Sequence, residues 1–186
     1  MGPRELPRLW DRHLLNCAVV TDLLPVGATV VDVGSGAGLP GLVLAIRRAD
    51  LHVVCVESMA RRTEFLMRTA DVLGLESQIS VKRGRIEDAA VQYELGAVDW
   101  MTARAVAPLD RLVGWCLPAL RPAGELLALK GATAAAELAE HGKVLTQLGA
   151  GETGVVECGV GLLPEPTRVV RVTRRMRLPT TSKGRA

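Results

Sequence analysis

Aromatic side chains are scarce in this chain: Trp10, Phe65, Tyr93, Trp100 and Trp115 make up 3% of the residues and are scattered along it. Their scatter excludes a platform on which several bases stack, so any nucleic acid must be gripped mainly by cationic side chains. Cysteine is sparse too, and Cys17, Cys55, Cys116 and Cys158 lie far apart in apolar surroundings with no C-x-x-C pair. That spacing excludes a zinc ribbon or a dithiol redox motif and predicts buried, reduced thiols with no metal site. Histidine is limited to His13, His52 and His141, which share no cluster; His13 reads as a packed helix residue. No apolar run approaches the ~20 residues that span a bilayer, and no apolar core follows the N-terminal charges. The expectation is a cytoplasmic protein that makes no membrane contact.

What is present suits one globular domain. Hydrophobic residues are 48% and charged residues 23% of 186, with no internal repeat and no low-complexity linker. We expect a single domain over residues 1–178 and a disordered basic tail over 179–186. Net charge is only +3, yet Arg168, Arg171, Arg174, Arg175, Arg177, Lys183 and Arg185 follow one another to the C-terminus without an acidic residue among them. Such a cluster can hold phosphates; a solvated tail is the competing reading.

Apolar residues at three- and four-residue steps predict an amphipathic helix over residues 5–24, ended by Pro25-Val26-Gly27. Strand-like runs follow over 29–33, 52–57, 79–82, 98–103, 125–130, 155–158 and 168–173, with helical stretches over 60–73, 88–93, 109–120 and 133–148 and another after the glycine turn near Pro40. Alternation of strand and helix predicts an α/β fold with a mostly parallel seven-stranded sheet covered on both faces. The last two runs are separated only by residues 159–166, too few for a crossover helix, so they predict a C-terminal antiparallel hairpin.

The most informative stretch is Val30-Val31-Asp32-Val33-Gly34-Ser35-Gly36-Ala37-Gly38-Leu39-Pro40-Gly41. An apolar strand ends in Asp-x-Gly-x-Gly-x-Gly and turns directly into a helix, which is a cradle for a nucleotide cofactor. The spacing departs from the dinucleotide pattern G-x-G-x-x-G, because Leu39 stands where the third glycine belongs and Gly38 comes early. Asp32 adds an acidic charge that suits the cationic methionine part of S-adenosylmethionine better than a pyrophosphate. Together with a sheet finished by a hairpin, this points to a class I S-adenosylmethionine-dependent methyltransferase, a Rossmann-like arrangement.

In an open parallel sheet the ligand lies beyond the carboxyl ends of the strands. Glu57 closes the second strand, where a carboxylate can accept both ribose hydroxyls; helix capping beside Ser58 is the competing reading. Gly84-Arg85-Ile86-Glu87-Asp88 can bracket an adenine or form a solvated acidic loop. Arg104 stands at the rim after the fourth strand and Lys130 at the end of the fifth, each with a surface ion pair as the alternative.

Arg12-His13-Leu14-Leu15-Asn16, the run 31–41 with its Gly-Leu-Pro-Gly ending, Arg85-Ile86-Glu87, Ala103-Arg104-Ala105 and Leu129-Lys130-Gly131 occur in an order that resembles the small-subunit (16S) ribosomal RNA guanine-N7 methyltransferase family, also called glucose-inhibited division protein B. The resemblance covers about residues 5–175. Members carry a further N-terminal helical segment ahead of the Arg-His pair, and the expectation is that this segment is missing here, by truncation or a misassigned start. The resemblance implies methyl transfer from S-adenosylmethionine to guanine N7 at the position conventionally numbered 527, in the 530 loop. It implies cofactor contacts at Gly34, Leu39, Ile86, Glu87 and Arg104, joining Asp32, Gly36, Gly38 and Glu57. Arg85, Lys130 and Arg168 then face RNA, and Arg104 and Lys130 are the catalytic candidates. The partner implied is 16S ribosomal RNA or the small subunit, bound by a monomer. Competing readings are a class I methyltransferase acting on another RNA, a protein or a small molecule, a non-catalytic RNA-binding protein of the same fold, and a nicotinamide oxidoreductase disfavoured by the glycine spacing.

Overall fold

The computed structural model describes residues 9–176. Within them the strands are β1 (Thr29–Val33), β2 (His52–Glu57), β3 (Ile79–Arg83), β4 (Val98–Arg104), β5 (Leu120–Leu129), β6 (Ala150–Cys158) and β7 (Thr167–Arg174). They form one seven-stranded sheet in the order β3-β2-β1-β4-β5-β7-β6. The first five strands run parallel to one another, and β7 runs antiparallel to both β5 and β6. The strand order reverses between β1 and β4, which opens a crevice at their carboxyl ends.

Period-two alternation splits the apolar residues between two cores. Val30, Val53, Cys55, Leu127 and Leu129 face one core, where they meet α2 (Gly41–Arg47), α3 (Ala60–Val72) and the N-terminal helical stretch. Val31, Val33, Val56, Leu126 and Ala128 face the other, packed by α4 (Ala89–Leu95), α5 (Leu109–Cys116) and α6 (Ala134–Leu148). Both faces of the central strands are therefore dry, which is why those strands read as unbroken apolar runs. Leu44 and Leu66 on one side and Leu109 and Leu145 on the other are wholly buried, each stabilising the fold by roughly 1.5–3 kcal/mol.

The main differences from the sequence expectation fall in three places. The N-terminal helix is not uniform: Leu9–Leu14 is π-helical, Leu15–Ala18 (α1) is α-helical and Val19–Leu23 is a 3-10 turn. Each pitch sends its side chains in different directions, so one amphipathic stripe over 5–24 was too simple; residues 5–8 lie outside the described residues. Second, β5 begins at Leu120 and β6 at Ala150 rather than at Glu125 and Val155. Pro122 and Gly124 in one, and Gly151 and Gly154 in the other, carry turn chemistry that register shifts in both ladders accommodate. Third, α5 stops at Cys116 because the chain must turn at once into the longer β5. The tail expected over 179–186, and Arg177 with it, lies outside the described residues.

The four cysteines are buried free thiols, and burial pushes Cys55 up to about 12. No helix among the described residues is long and apolar enough to cross a membrane. No metal-ligating cluster occurs among them.

Candidate active site

The turn after β1 is assembled almost wholly from the strand's own neighbours. The Gly34 and Ser35 amides donate to the Val56 carbonyl at 2.8 and 3.2 Å, folding the loop over the end of β2. Gly36 N–H donates to Glu57 Oε2 at 3.0 Å, while Glu57 Oε1 accepts from Met59 N–H at 2.9 Å. Glu57 thus joins the glycine turn to Met59, the residue that precedes α3, without capping the helix. Its side chain is 4% exposed, and it also accepts from Ser58 Oγ on Oε1 at 3.5 Å and pairs with Arg62 Nη1 through Oε2 at 3.6 Å. Gly34 has φ +66°, and a Cβ there would stand 2.8 Å from Val106 Cγ2. Glycine is required by both conformation and space.

Asp32 departs from its expected part. It is completely buried; its Oδ2 accepts from Gly41 N–H at 3.0 Å and its Oδ1 from Thr102 Oγ1 at 3.1 Å. Burial raises its carboxyl to about 6, against hydrogen bonds from Ser35, Gly41 and Thr102 that lower it. The carboxylate lines neither cavity and acts by fixing the first turn of α2 to the sheet.

Two cavities open at the carboxyl ends of the strands. The smaller, about 220 Å³, is lined by Gly34, Glu57, Arg85, Ile86 and Glu87 together with Val33, Val56, Val106 and Trp115. Its apolar walls and single buried carboxylate suit the flat base and vicinal hydroxyls of a nucleoside. Gly36, Gly38 and Leu39 do not line it: Leu39 packs into the core under α2, and Gly38 donates to the Ser35 carbonyl at 2.7 Å to close the turn.

The larger cavity, about 720 Å³, brings together Arg104, Lys130 and Arg168, and adds Arg12, Asn16, Glu137 and Glu165. Arg85, expected with this group, belongs to the smaller cleft, where it faces Glu87 at 3.6 Å. Arg104, expected on the cofactor, lines only the larger cavity. Its guanidinium is engaged with the N-terminal helical stretch: it donates to the carbonyls of Arg12 and His13 and to Cys17 Sγ, each at 3.3 Å, and meets His13 Nδ1. Lys130 is equally engaged. Its Nζ donates to the Ala107 carbonyl at 2.7 Å and pairs with Glu137 Oε2 at 2.8 Å.

The basic C-terminal run does not act as one patch. Arg168 lies beside Lys130 at the carboxyl rim, where Lys130 N–H donates to the Arg168 carbonyl at 3.1 Å, and its guanidinium pairs with Glu157 at 2.9 Å. Arg171 forks onto Glu125 at 2.7 to 3.0 Å, while Arg174 and Arg175 bond the carbonyls of Pro118 and Ala150 at the opposite rim. Six residues of strand separate Arg168 from Arg174, about 20 Å. Alternation and antiparallel direction made the cluster in sequence into a dispersed set in space.

Arg12, Asn16 and Glu137 were not foreseen as lining residues. The Arg12 side chain is exposed and has no side-chain partner among the described residues. Its four-residue spacing from Asn16 was the available signal, since that spacing shares a helix face. Nothing local marked Glu137, whose role depends on Lys130 from another element.

A switch-point cleft holding a buried carboxylate, under a sheet of this strand order, is the architecture of S-adenosylmethionine-dependent methyltransferases. Two solved structures share it: a SAM-dependent O-methyltransferase from Thermotoga maritima, with TM-score 0.67 at 16% identity over 94% of this chain and 71% of that one, and the S-adenosylmethionine-dependent methyltransferase SibL, with TM-score 0.68 at 20% identity over 91% and 57%. The sequence narrows the class. The family model for GidB, rRNA small subunit methyltransferase G, matches residues 1–163, and the chain belongs to that family. It is 56% identical to the ribosomal RNA small subunit methyltransferase G of Salinispora arenicola over 98% of this chain and 76% of that protein. With the same-named protein of Rhodococcus jostii it shares 54% identity over 94% and 76%.

Proposed function

We propose that this chain transfers the methyl group of S-adenosylmethionine to N7 of a guanine in the 530 loop of 16S ribosomal RNA, the position conventionally numbered 527. The observation that carries the reading is the pairing of two cavities: a nucleoside-sized cleft built around Glu57 beside a larger one lined by Arg12, Asn16, Arg104, Lys130 and Arg168. Bound in the smaller cleft, S-adenosylmethionine supplies an electrophilic methyl on a sulfonium. Glu57 accepts the ribose hydroxyls, Ile86 and Glu87 bracket the adenine, and Gly34 lets that nucleoside approach the backbone. Asp32, Gly36, Gly38 and Leu39 shape the turn from behind.

Guanine N7 carries an in-plane lone pair and no proton, so its attack on the methyl carbon needs no general base. The protein's contribution is alignment of nitrogen, carbon and sulfur, worth several kcal/mol through proximity. A bidentate arginine contact to O6 and N7 would occupy the nucleophile. Arg104 therefore serves by fixing the N-terminal helical stretch beside the cavity, leaving Arg12 for phosphate or O6, joined by Arg168 once RNA displaces its exposed ion pair with Glu157. Arg85 meets RNA at the mouth of the smaller cleft. The enzyme works as a monomer in the cytoplasm, on the small subunit or its RNA.

The test is transfer of labelled methyl from S-adenosylmethionine to small subunits lacking the modification. Label entering their RNA is the expected result; label in protein alone, or in large-subunit RNA, would contradict the reading.

A further inference from the structure

The two cavities meet at the segment that follows β4. Ala105 lines the larger and Val106 the smaller, immediately after β4 ends at Arg104. That segment is not held by local preference, since Ala105 has φ 52°, a conformation that residues with a Cβ rarely adopt and that persists only where its surroundings impose it. Val106 also presses on the glycine turn at the spot where Gly34 has no side chain. A shift of this segment would change the cofactor cleft and the substrate cavity together.

The clamp on the segment comes from β5 and α6. Lys130 Nζ holds the Ala107 carbonyl at 2.7 Å and Glu137 Oε2 at 2.8 Å, and Thr133 Oγ1 donates to Glu137 Oε1 at 3.0 Å. The Lys130 side chain is 11% exposed and that of Glu137 24%. An ammonium this buried needs its counter-charge, and without it would turn toward water or phosphate and release the carbonyl. Burial works to raise the Glu137 carboxyl, but the bonds from Lys130 and Thr133 and the ammonium charge outweigh it and hold it below the ordinary glutamate range.

We infer that Glu137 is a positioning residue for methyl transfer: through Lys130 it pins the Ala107 carbonyl and so holds Val106 against the glycine turn, fixing the wall between cofactor and substrate. Lys130 is then a strut with its charge already matched, not a free RNA contact. The inference rests on the smaller cleft being the cofactor's.

The experiment measures S-adenosylhomocysteine affinity by calorimetry and RNA affinity by filter binding for Glu137→Gln and Lys130→Met. Glu137→Gln is expected to weaken S-adenosylhomocysteine about fivefold or more, and to raise the KM for S-adenosylmethionine by more than it lowers kcat. RNA affinity should change less than twofold, and the double variant should bind the cofactor no more weakly than Lys130→Met alone. Unchanged cofactor affinity in Glu137→Gln, or Lys130→Met losing RNA and not cofactor, would overturn the inference. Should Glu137→Gln not fold, Thr133→Val withdraws only one bond from Glu137, and the same two results decide. Failure of the unaltered chain to bind S-adenosylhomocysteine would instead count against the cofactor reading itself.

Discussion

Individual residues in this site do their work through what they hold in place. Arg104 joins β4 to the N-terminal helical stretch through the Arg12 and His13 carbonyls and Cys17. Arg104→Ala should therefore lower turnover about a hundredfold while costing about 1–3 kcal/mol of stability; single-turnover kinetics alongside urea unfolding would show it, and unimpaired turnover would remove Arg104 from the site. Asp32 makes a second prediction. Its carboxyl, raised to about 6 by burial from 3.8, should titrate near that value in a carbon-detected NMR experiment, where a midpoint near 4 would be contrary. Because the folded state binds this proton more tightly than the unfolded state, the group's contribution favours folding most below about pH 4. It is lost as pH rises through about 6, leaving the ionised form a cost on the order of 3 kcal/mol at neutral pH. Sequence reading located both residues near the glycine turn and the fourth strand's end but did not show the protein groups they bond. A motif reveals which residue types meet near a ligand, whereas burial and hydrogen-bond partners come from elements far along the chain, as with Thr102 beneath Asp32.

At the scale of elements, the strands and their direction were legible because two dry faces make β1, β2 and β5 apolar runs, with helical stretches between most of them. Strand ends were less so, since the glycines and Pro122 in the extensions of β5 and β6 look like turns until a neighbouring strand imposes its register. The glycine turn was legible down to single positions. Gly34→Ala, forcing a Cβ into Val106 at φ +66°, should cost about 1–3 kcal/mol and weaken S-adenosylhomocysteine binding; calorimetry and thermal unfolding should report both losses together. The basic C-terminal run, a cluster in sequence, is spread along β7 in space. Arg168→Ala should weaken RNA binding and flatten its salt dependence by about one ion. Arg171→Ala, which breaks only the fork onto Glu125, should leave RNA affinity alone and cost less than about 1 kcal/mol. Equal effects on RNA would restore the patch.

For the molecule as a whole, the doubly wound sheet supplies one edge of strand ends, and two cavities lie along it. The smaller cleft on the β1–β2 side, which we propose takes the cofactor, and the donor-rich cavity over β4, β5 and β7 meet at Ala105 and Val106. Few aromatics are consistent with the proposed function, in which arginines hold the acceptor and guanine N7 needs no base. The most direct measurement is the position of the methyl group on the RNA product. Borohydride reduction followed by aniline should cleave the labelled small-subunit RNA at one guanine in the 530 loop, as N7 methylation requires. Label that enters the RNA without creating that break, or a break at another guanine, would contradict the assignment.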